Sequence, residues 1–342
     1  MRGLLIHMTP LAPDQAGVVS VLFALGGLIV LVDAGGCTGN ICGFDEPRWR
    51  THPCALFSAG LRDMDAILGR DDRLIAKTEE AAKHLHPAFI ALVGTPVPAV
   101  IGTDLAGIAS VLEKRCRIPS FAIATTGTGL YDAGASAAYT TVLKRFAKTT
   151  TPKEPQSLGV FGATPLDVGT KQEAIKAHFL RQGYKRVRIH GEDGLSSFTE
   201  AAHVTENLVL APAGLAAAQW MAEHCGIPYT IDYPLIENAI VEAASTRQTI
   251  LCVHQTVLGQ SYAKAIAQKN PQASILLASF CMTAPFASAI HLRDEEDLFT
   301  LVATQKIDCI LGDTSLQALF DAKTLETIRW LDIPHYAVSS RL

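Results

Sequence analysis

Cys37 and Cys42 enclose four residues, Thr-Gly-Asn-Ile, and Cys54 follows after eleven more. Thiolates are the preferred ligands of iron–sulfur clusters and of zinc. A C-x4-C pair in a glycine-rich loop therefore reads as two corners of such a site. Gly35 and Gly36 stand just before the first thiol and let the backbone bend sharply and approach a bulky object. Zinc and iron–sulfur sites more often show C-x2-C spacing. No second C-x-x-C, H-E-x-x-H or Cys/His cluster exists elsewhere to complete a site. The alternative is a pair of small buried thiols.

Other reactive side chains fall at expected strand ends. His254 follows the run Thr249–Val253 and precedes Gly259, where a helix is expected to begin. Cys281 follows Ser274–Ala278 and is placed toward a cleft between lobes. These two are the candidate catalytic groups, set against a hydrogen-bonded loop histidine and a structural thiol. Asp313-Thr314-Ser315 read equally as an anion site at a helix N-terminus and as an ordinary helix cap, and Thr103-Asp104 as a helix cap. Asp63 and Asp65 read as a solvated helix start, and His84 and His86 as partners of a helix carboxyl end. Cys116, Cys225, Cys252 and Cys309 read as core thiols. No G-x-x-x-x-G-K-[ST] motif occurs, and in Gly127-Thr128-Gly129 the third glycine of a dinucleotide loop is replaced by Asp132.

The elements that must carry these groups are legible as α/β structure. The uncharged run Ala16–Val32 is split by Gly26-Gly27 and falls short of the roughly 20 apolar residues a membrane span needs. It reads as a buried helix, Ala16–Leu25, and a buried strand, Leu28–Val32, that delivers Cys37 to its loop. Further apolar strands precede glycine loops at Ala88–Gly94, Asn207–Gly214 and Ile307–Gly312. Such runs alternating with helices indicate buried parallel sheets, which bind ligands beyond the carboxyl ends of their strands. Three phrases recur at nearly equal spacing: Cys116–Pro119, Cys225–Pro228 and Leu331–Pro334. Each reads as a helix-to-strand junction, followed by strands at Ser120–Ala124, Tyr229–Ile231 and His335–Val338. With a polar linker at Lys148–Ser157 and a weaker boundary near Ala244–Gln248, the expected lobes are 1–150, 151–246 and 247–342.

Composition narrows the function classes. The 342 residues are 49% hydrophobic and 18% charged, with 29 Lys+Arg against 33 Asp+Glu. This balance argues against disorder and against a broad nucleic-acid-binding surface. Eight cysteines in so long a chain are too few for a disulfide framework. The start, Met1 to His7, lacks a basic segment followed by a long apolar one, so a cytoplasmic protein with reduced thiols is expected.

The order of several segments resembles one family. Gly36-Cys37, Cys54 with FSAGLRDMDAILG, Lys77–Lys83, Pro87–Val93 and TPVPAVIGTD (Thr95–Asp104) occur in the order seen in nitrogenase component 1-like proteins. That family includes the molybdenum–iron protein subunits, their assembly scaffolds, and nitrogenase-like reductases of tetrapyrrole and thioether chemistry. Leu158–Ala163, Asn207-Leu208 and Gly226-Ile227-Pro228 resemble phrases of its second lobe. The resemblance implies three Rossmann-like lobes, each a parallel sheet flanked by helices.

It also implies three cluster cysteines in the first lobe, and here the chain departs. Where the first is expected stands Pro13-Asp14-Gln15-Ala16-Gly17. Cys37, after Gly36, matches the second. The third, in a T-C-x-P phrase, is replaced by Pro96 in Thr95-Pro96-Val97-Pro98. Cys42 has no family counterpart and is the candidate substitute; Cys54 matches a position that is usually non-ligating. A four-iron cluster needs about four ligands, so the expectation is a 4Fe-4S cluster shared by two chains, each supplying Cys37 and Cys42. The partner is a second copy or a paired component 1-like subunit. A separate ATP-dependent iron–sulfur reductase would deliver single electrons, and a small-molecule or cofactor substrate would be reduced in the inter-lobe cleft. The alternatives are a scaffold for metal-cluster or cofactor assembly and a cluster-free ligand-binding protein. The chain closes at Leu342 soon after the third lobe, which gives the expectation of little material to wrap a large heterometal cofactor.

Overall fold

The computed structural model describes residues 5–8 and 11–341; residues 1–4, 9–10 and 342 lie outside the described residues. Its strands form three all-parallel sheets. The first holds β1 (Leu28–Leu31), β2 (Ala55–Ser58), β3 (Ile90–Val93) and β4 (Ser120–Ile123) in the order β2-β1-β3-β4. The second repeats that order as β6-β5-β7-β8, from β5 (Ser157–Phe161), β6 (Arg186–Ile189), β7 (Glu206–Val209) and β8 (Tyr229–Ile231). The third runs β11-β10-β9-β12-β13, from β9 (Thr249–Val253), β10 (Ser274–Ser279), β11 (Ile290–His291), β12 (Cys309–Gly312) and β13 (Arg329–Asp332). In each sheet the crossovers change direction beside the first strand, the position where open α/β sheets leave a crevice at their carboxyl ends.

Strand periodicity explains the layering. In the first sheet Leu28, Val30, Ile90 and Leu92 pack on helices Asp71–Leu85 and Leu105–Cys116. Ile29, Leu31, Ala91 and Val93 point the other way, toward helices Asp14–Leu22 and Tyr131–Phe146. Because both faces are covered, β1 and β3 are apolar throughout, as buried parallel strands must be.

Those last two helices form the axis of the molecule. Their backbones touch at two glycines: a Cβ on Gly17 would lie 1.7 Å from the Tyr131 carbonyl oxygen, and one on Gly134 would lie 1.9 Å from that of Asp14. No side chain can yield there, since the obstacle is backbone. Gly17→Ala is therefore expected to destabilise the protein at the upper end of the ~1–3 kcal/mol that overpacking usually costs. The shift of the urea unfolding midpoint measures it. The outer side of helix Tyr131–Phe146 packs on the second lobe, where Tyr139 meets the rings of Phe161 and Phe198.

Four sequence expectations need correction. His335–Val338 is not a strand: β13 ends at Asp332, and the chain turns into a short helix, Tyr336–Ser339. Pro334 has no N–H for a ladder, and the His335 amide donates instead to Asp313 Oδ2 at 3.0 Å. The third recurring phrase thus ends a strand, whereas the other two precede one. The helix after His254 starts at Thr256, three residues before Gly259, because Gln255 caps it through the Val257 and Leu258 amides. The strand at Asn207 ends at Val209, and Pro212–Gly214 forms a 3-10 turn. The first long helix spans Asp14–Leu22, not Ala16–Leu25.

Candidate functional site

The cysteine loop grows from the carboxyl end of β1. Buried Asp33 organises it, accepting hydrogen bonds from the Thr38 amide (2.9 Å), the Thr38 hydroxyl (3.0 Å) and the Ser58 hydroxyl (2.5 Å). Gly35, at φ 115°, adopts a conformation that excludes most side chains and turns the chain into the short helix Gly36–Asn40, which carries Cys37. A π-turn follows at Ile41–Asp45, closed by the Glu46 amide on the Ile41 carbonyl at 3.0 Å, and it carries Cys42. Such one-turn π segments are frequent at functional sites.

Arg48 anchors the loop from beneath. Its buried guanidinium pairs with Glu46 at 2.6 Å and with Glu192 of the second lobe, donates to the Ser20 carbonyl at 2.6 Å and lies over the Phe23 ring. From the third lobe, the Tyr336 hydroxyl donates to the Phe44 carbonyl at 2.7 Å. All three lobes thus grip this loop.

Its three thiols differ. Burial raises the pKa of Cys37 and Cys42, with the Asp33 charge adding to the effect on Cys37. Burial and then the Glu46 carboxylate push Cys54 up to about 12, so it is the hardest of the three to ionise. Cys37 and Cys42 are only half-buried. At the same carboxyl end of the first sheet, large apolar side chains are exposed: Phe44 (64% exposed), two residues after Cys42, Met64, Ile67 (74%) and Leu68 on helix Asp63–Leu68, and Val97, Val100 (86%) and Ile101 on helix Pro96–Ile101.

The two places that lack a thiol come together at Gly127. The Asp14 carboxylate accepts the amides of Gln15 (2.9 Å), Thr126 (2.9 Å) and Gly127 (2.8 Å). Pro96 opens its helix and packs so close to Gly127 that a Cβ there would lie 2.4 Å from the proline ring. Asp14 is spent on backbone amides, and Pro96 offers no donor atom.

A second constellation lies where the lobes meet. The Tyr131 hydroxyl is 2.6 Å from Asp167 Oδ1 and 3.2 Å from His335 Nε2; Thr164 donates to the other Asp167 oxygen at 3.1 Å. The His335 ring packs on that of His254, with centroids 4.3 Å apart. His254 Nδ1 accepts the Gln255 amide at 2.8 Å, so its Nε2 donates to the Pro334 carbonyl at 3.1 Å. Cys281 adjoins Tyr131 and Asp132, whose carboxylate accepts the Met282 amide at 2.7 Å. All these side chains are buried, and they fill the junction.

Burial sets their charge states. It lowers His254 to about 4 and His335 well below the usual histidine range, the latter helped by its neighbour His254, so both rings are neutral. It lifts Cys281 and Tyr131 well above their ordinary values. It pushes Asp167 up to about 7, and Asp132 up to about 6. The Asp167–Tyr131–His335 chain is satisfied by two proton arrangements. Either protonated Asp167 donates to the Tyr131 oxygen and Tyr131 to His335, or Nε2–H of His335 donates to Tyr131 and Tyr131 to the carboxylate.

A raised carboxyl holds in the folded state a proton that the unfolded chain has released. Stability therefore falls as pH rises from about 4 to about 7, with Asp132, Asp45 and Glu192, each lifted to about 6, contributing to the same decline. Asp167→Asn is expected to remove the part that extends to pH 7. Urea midpoints of both proteins at pH 5, 6, 7 and 8 test this: the variant should gain on the wild type as pH increases.

The profile of the family described as nitrogenase component 1 type oxidoreductase matches residues 15–237, more than half of the chain. The chain belongs to this family. A curated relative, the nitrogenase iron-molybdenum cofactor biosynthesis protein NifE of Clostridium pasteurianum, is 26% identical over 178 residues, which is 51% of this chain and 38% of that protein. The match thus spans well under half of the relative's length. Among solved structures, nitrogenase Cp1 at pH 6.5 superposes with a TM-score of 0.70 at 12% identity, covering 97% of this chain and 87% of that one. The same protein at pH 5 gives 0.66 at 16% identity over 98% and 85%. Their likeness establishes the three-lobed α/β fold. Among the described residues no helix is long and apolar enough to cross a membrane.

Members of this component 1 family bind iron–sulfur clusters. Within a single copy, no group of three or more His, Cys, Asp or Glu side chains among the described residues could hold a metal ion. Cys37 and Cys42 share one half-exposed loop, so a single copy offers two thiols there, against the about four ligands of a four-iron cluster. The remaining predicted groups separate. His254 and Cys281 both reach the inter-lobe centre. Asp313 caps the turn Thr314–Leu319 and Asp104 the helix Leu105–Cys116. His84 lies in the last turn of helix Asp71–Leu85, and His86 ends it at φ 48°.

Sequence reading missed Tyr131, Asp132, Asp167 and His335. Asp167 and His335 stand within a few residues of the carboxyl ends of β5 and β13. That shared placement was the available signal.

Proposed function

We propose that this chain is the redox subunit of a dimeric, nitrogenase-like reductase. Cys37 and Cys42 of two chains hold a 4Fe-4S cluster at their interface. A separate ATP-dependent iron–sulfur reductase supplies single electrons, and a small molecule or cofactor is reduced between the lobes. The observation that supports this reading is the set of exposed apolar side chains at the same end of the first sheet as two half-exposed thiols. Such a patch marks an interface, and covering it would exclude water from whatever the thiols hold.

When bound, the cluster supplies one-electron transfer. The chain's own residues do the rest: Asp33 and Arg48 fix the loop, Asp14 and Pro96 close its neighbourhood, and Asp167, Tyr131 and His335 hold a proton at the centre. The lobes are taken as 1–150, 151–246 and 247–342, in a cytoplasmic protein.

Purification without oxygen, with measurement of iron, sulfide, visible spectrum and mass, tests the reading. The expected result is a brown pair of chains holding about four irons. A colourless, iron-free monomer overturns it. A second reading, an assembly scaffold, is favoured by the similarity to the cofactor-biosynthesis relative. Reduction by an ATP-dependent partner, followed by reoxidation on adding substrate, separates the two; a cluster that never turns over supports the scaffold.

A further inference from the structure

We propose that Tyr336 is a positioning residue for Cys42, holding the π-turn in the closed shape that keeps this thiol fixed and half-buried; the part concerning bound iron rests on the reading above. The last carbonyls of a helical turn have no partner within the turn. In the segment Ile41–Asp45 the Phe44 carbonyl is one of these, and the Tyr336 hydroxyl donates to it at 2.7 Å. Phe44 is two residues from Cys42, and its own side chain points to solvent, so the turn is held here through its backbone.

Tyr336 is itself on a stiff mount. The His335 amide and the Ser339 hydroxyl both donate to Asp313 Oδ2, and the Ala12 amide donates to the Ala337 carbonyl at 3.2 Å. Burial, together with the nearby Glu46 and Asp45 charges, keeps the Tyr336 hydroxyl protonated and therefore a donor. The charged groups facing it from the loop are Asp45 and Glu46, and Arg48 offsets Glu46 through their ion pair. Cys37 sits one turn earlier, in a helix governed by Asp33, and does not depend on this contact.

The test uses the full, metal-free chain and a limiting pulse of N-ethylmaleimide, with each thiol followed by peptide mass spectrometry. In Tyr336→Phe, Cys42 is expected to react about tenfold faster, the shift that losing one hydrogen bond of ordinary strength releases. Cys37 and Cys116 should keep their wild-type rates. Hydrogen exchange of the Glu46 amide, which closes the π-turn, should accelerate in parallel. An unchanged Cys42 rate overturns the proposal, and so does a rise shared equally by all three thiols, which reports general loosening. After reconstitution with iron and sulfide, a chelator should strip the variant about tenfold faster. A wild-type chain that takes up no iron sinks the cluster reading yet leaves the alkylation result standing.

Discussion

Cys37→Ala and Cys42→Ala should each strip nearly all iron from the anaerobically purified protein while leaving its fold intact. Each thiol is half-exposed on a loop, and its removal opens no large core cavity. If two chains share one cluster, a single substitution deletes two of four ligands at once. The loss should therefore exceed the ~10–100-fold fall in affinity typical of second-shell changes. Cys116→Ala, at the opposite end of the first sheet, should retain full iron content. Iron and sulfide per chain, the visible spectrum and the sedimentation mass read the outcome. Full iron retention in both loop variants would exclude a shared cluster, since Asp14 and Pro96 cannot replace the missing ligands.

Arg48→Met is expected to be the most destabilising of the single substitutions considered, by about 3–5 kcal/mol, the usual result of removing one partner from a buried ion pair. Arg48 serves Glu46, Glu192 and the Ser20 carbonyl together, so its loss leaves two carboxylates and a carbonyl uncompensated. Arg48→Lys should restore little, because an ammonium cannot bridge these groups with the planar fork of a guanidinium. Pairing Arg48→Met with Glu46→Gln should recover part of the stability. Urea unfolding at pH 7 measures all three variants. A change below about 1 kcal/mol for Arg48→Met, the range of a surface pair, would mean the network does not anchor the loop.

The strands were legible because their signal is local. LIVL at Leu28–Leu31 and IALV at Ile90–Val93 are continuous apolar runs bounded by glycine, and each became a fully buried strand. The position of Cys37 just beyond a strand end was legible for the same reason, since Gly35, Gly36 and the preceding strand lie within a few residues of it. The error at His335–Val338 arose because a repeated phrase was read without knowing what occupied the neighbouring positions. There the Asp313 carboxylate captured an amide that an extended strand would have used.

What the sequence by itself determined is the family, the α/β class and the loop carrying Cys37 and Cys42. The class and the loop rest on residues close together in the chain, and the family on short local phrases in a fixed order, so spacing along the chain carries all three. The tertiary structure decided the rest. It joined Tyr131, Asp167 and His335 into one hydrogen-bonded chain, placed Arg48 between Glu46 and Glu192, and brought Tyr336 to the Phe44 carbonyl. Partners separated by tens to hundreds of positions carry no periodic signature. Only the packing of the three lobes against helix Tyr131–Phe146 brings these side chains together and gives them their low-dielectric surroundings.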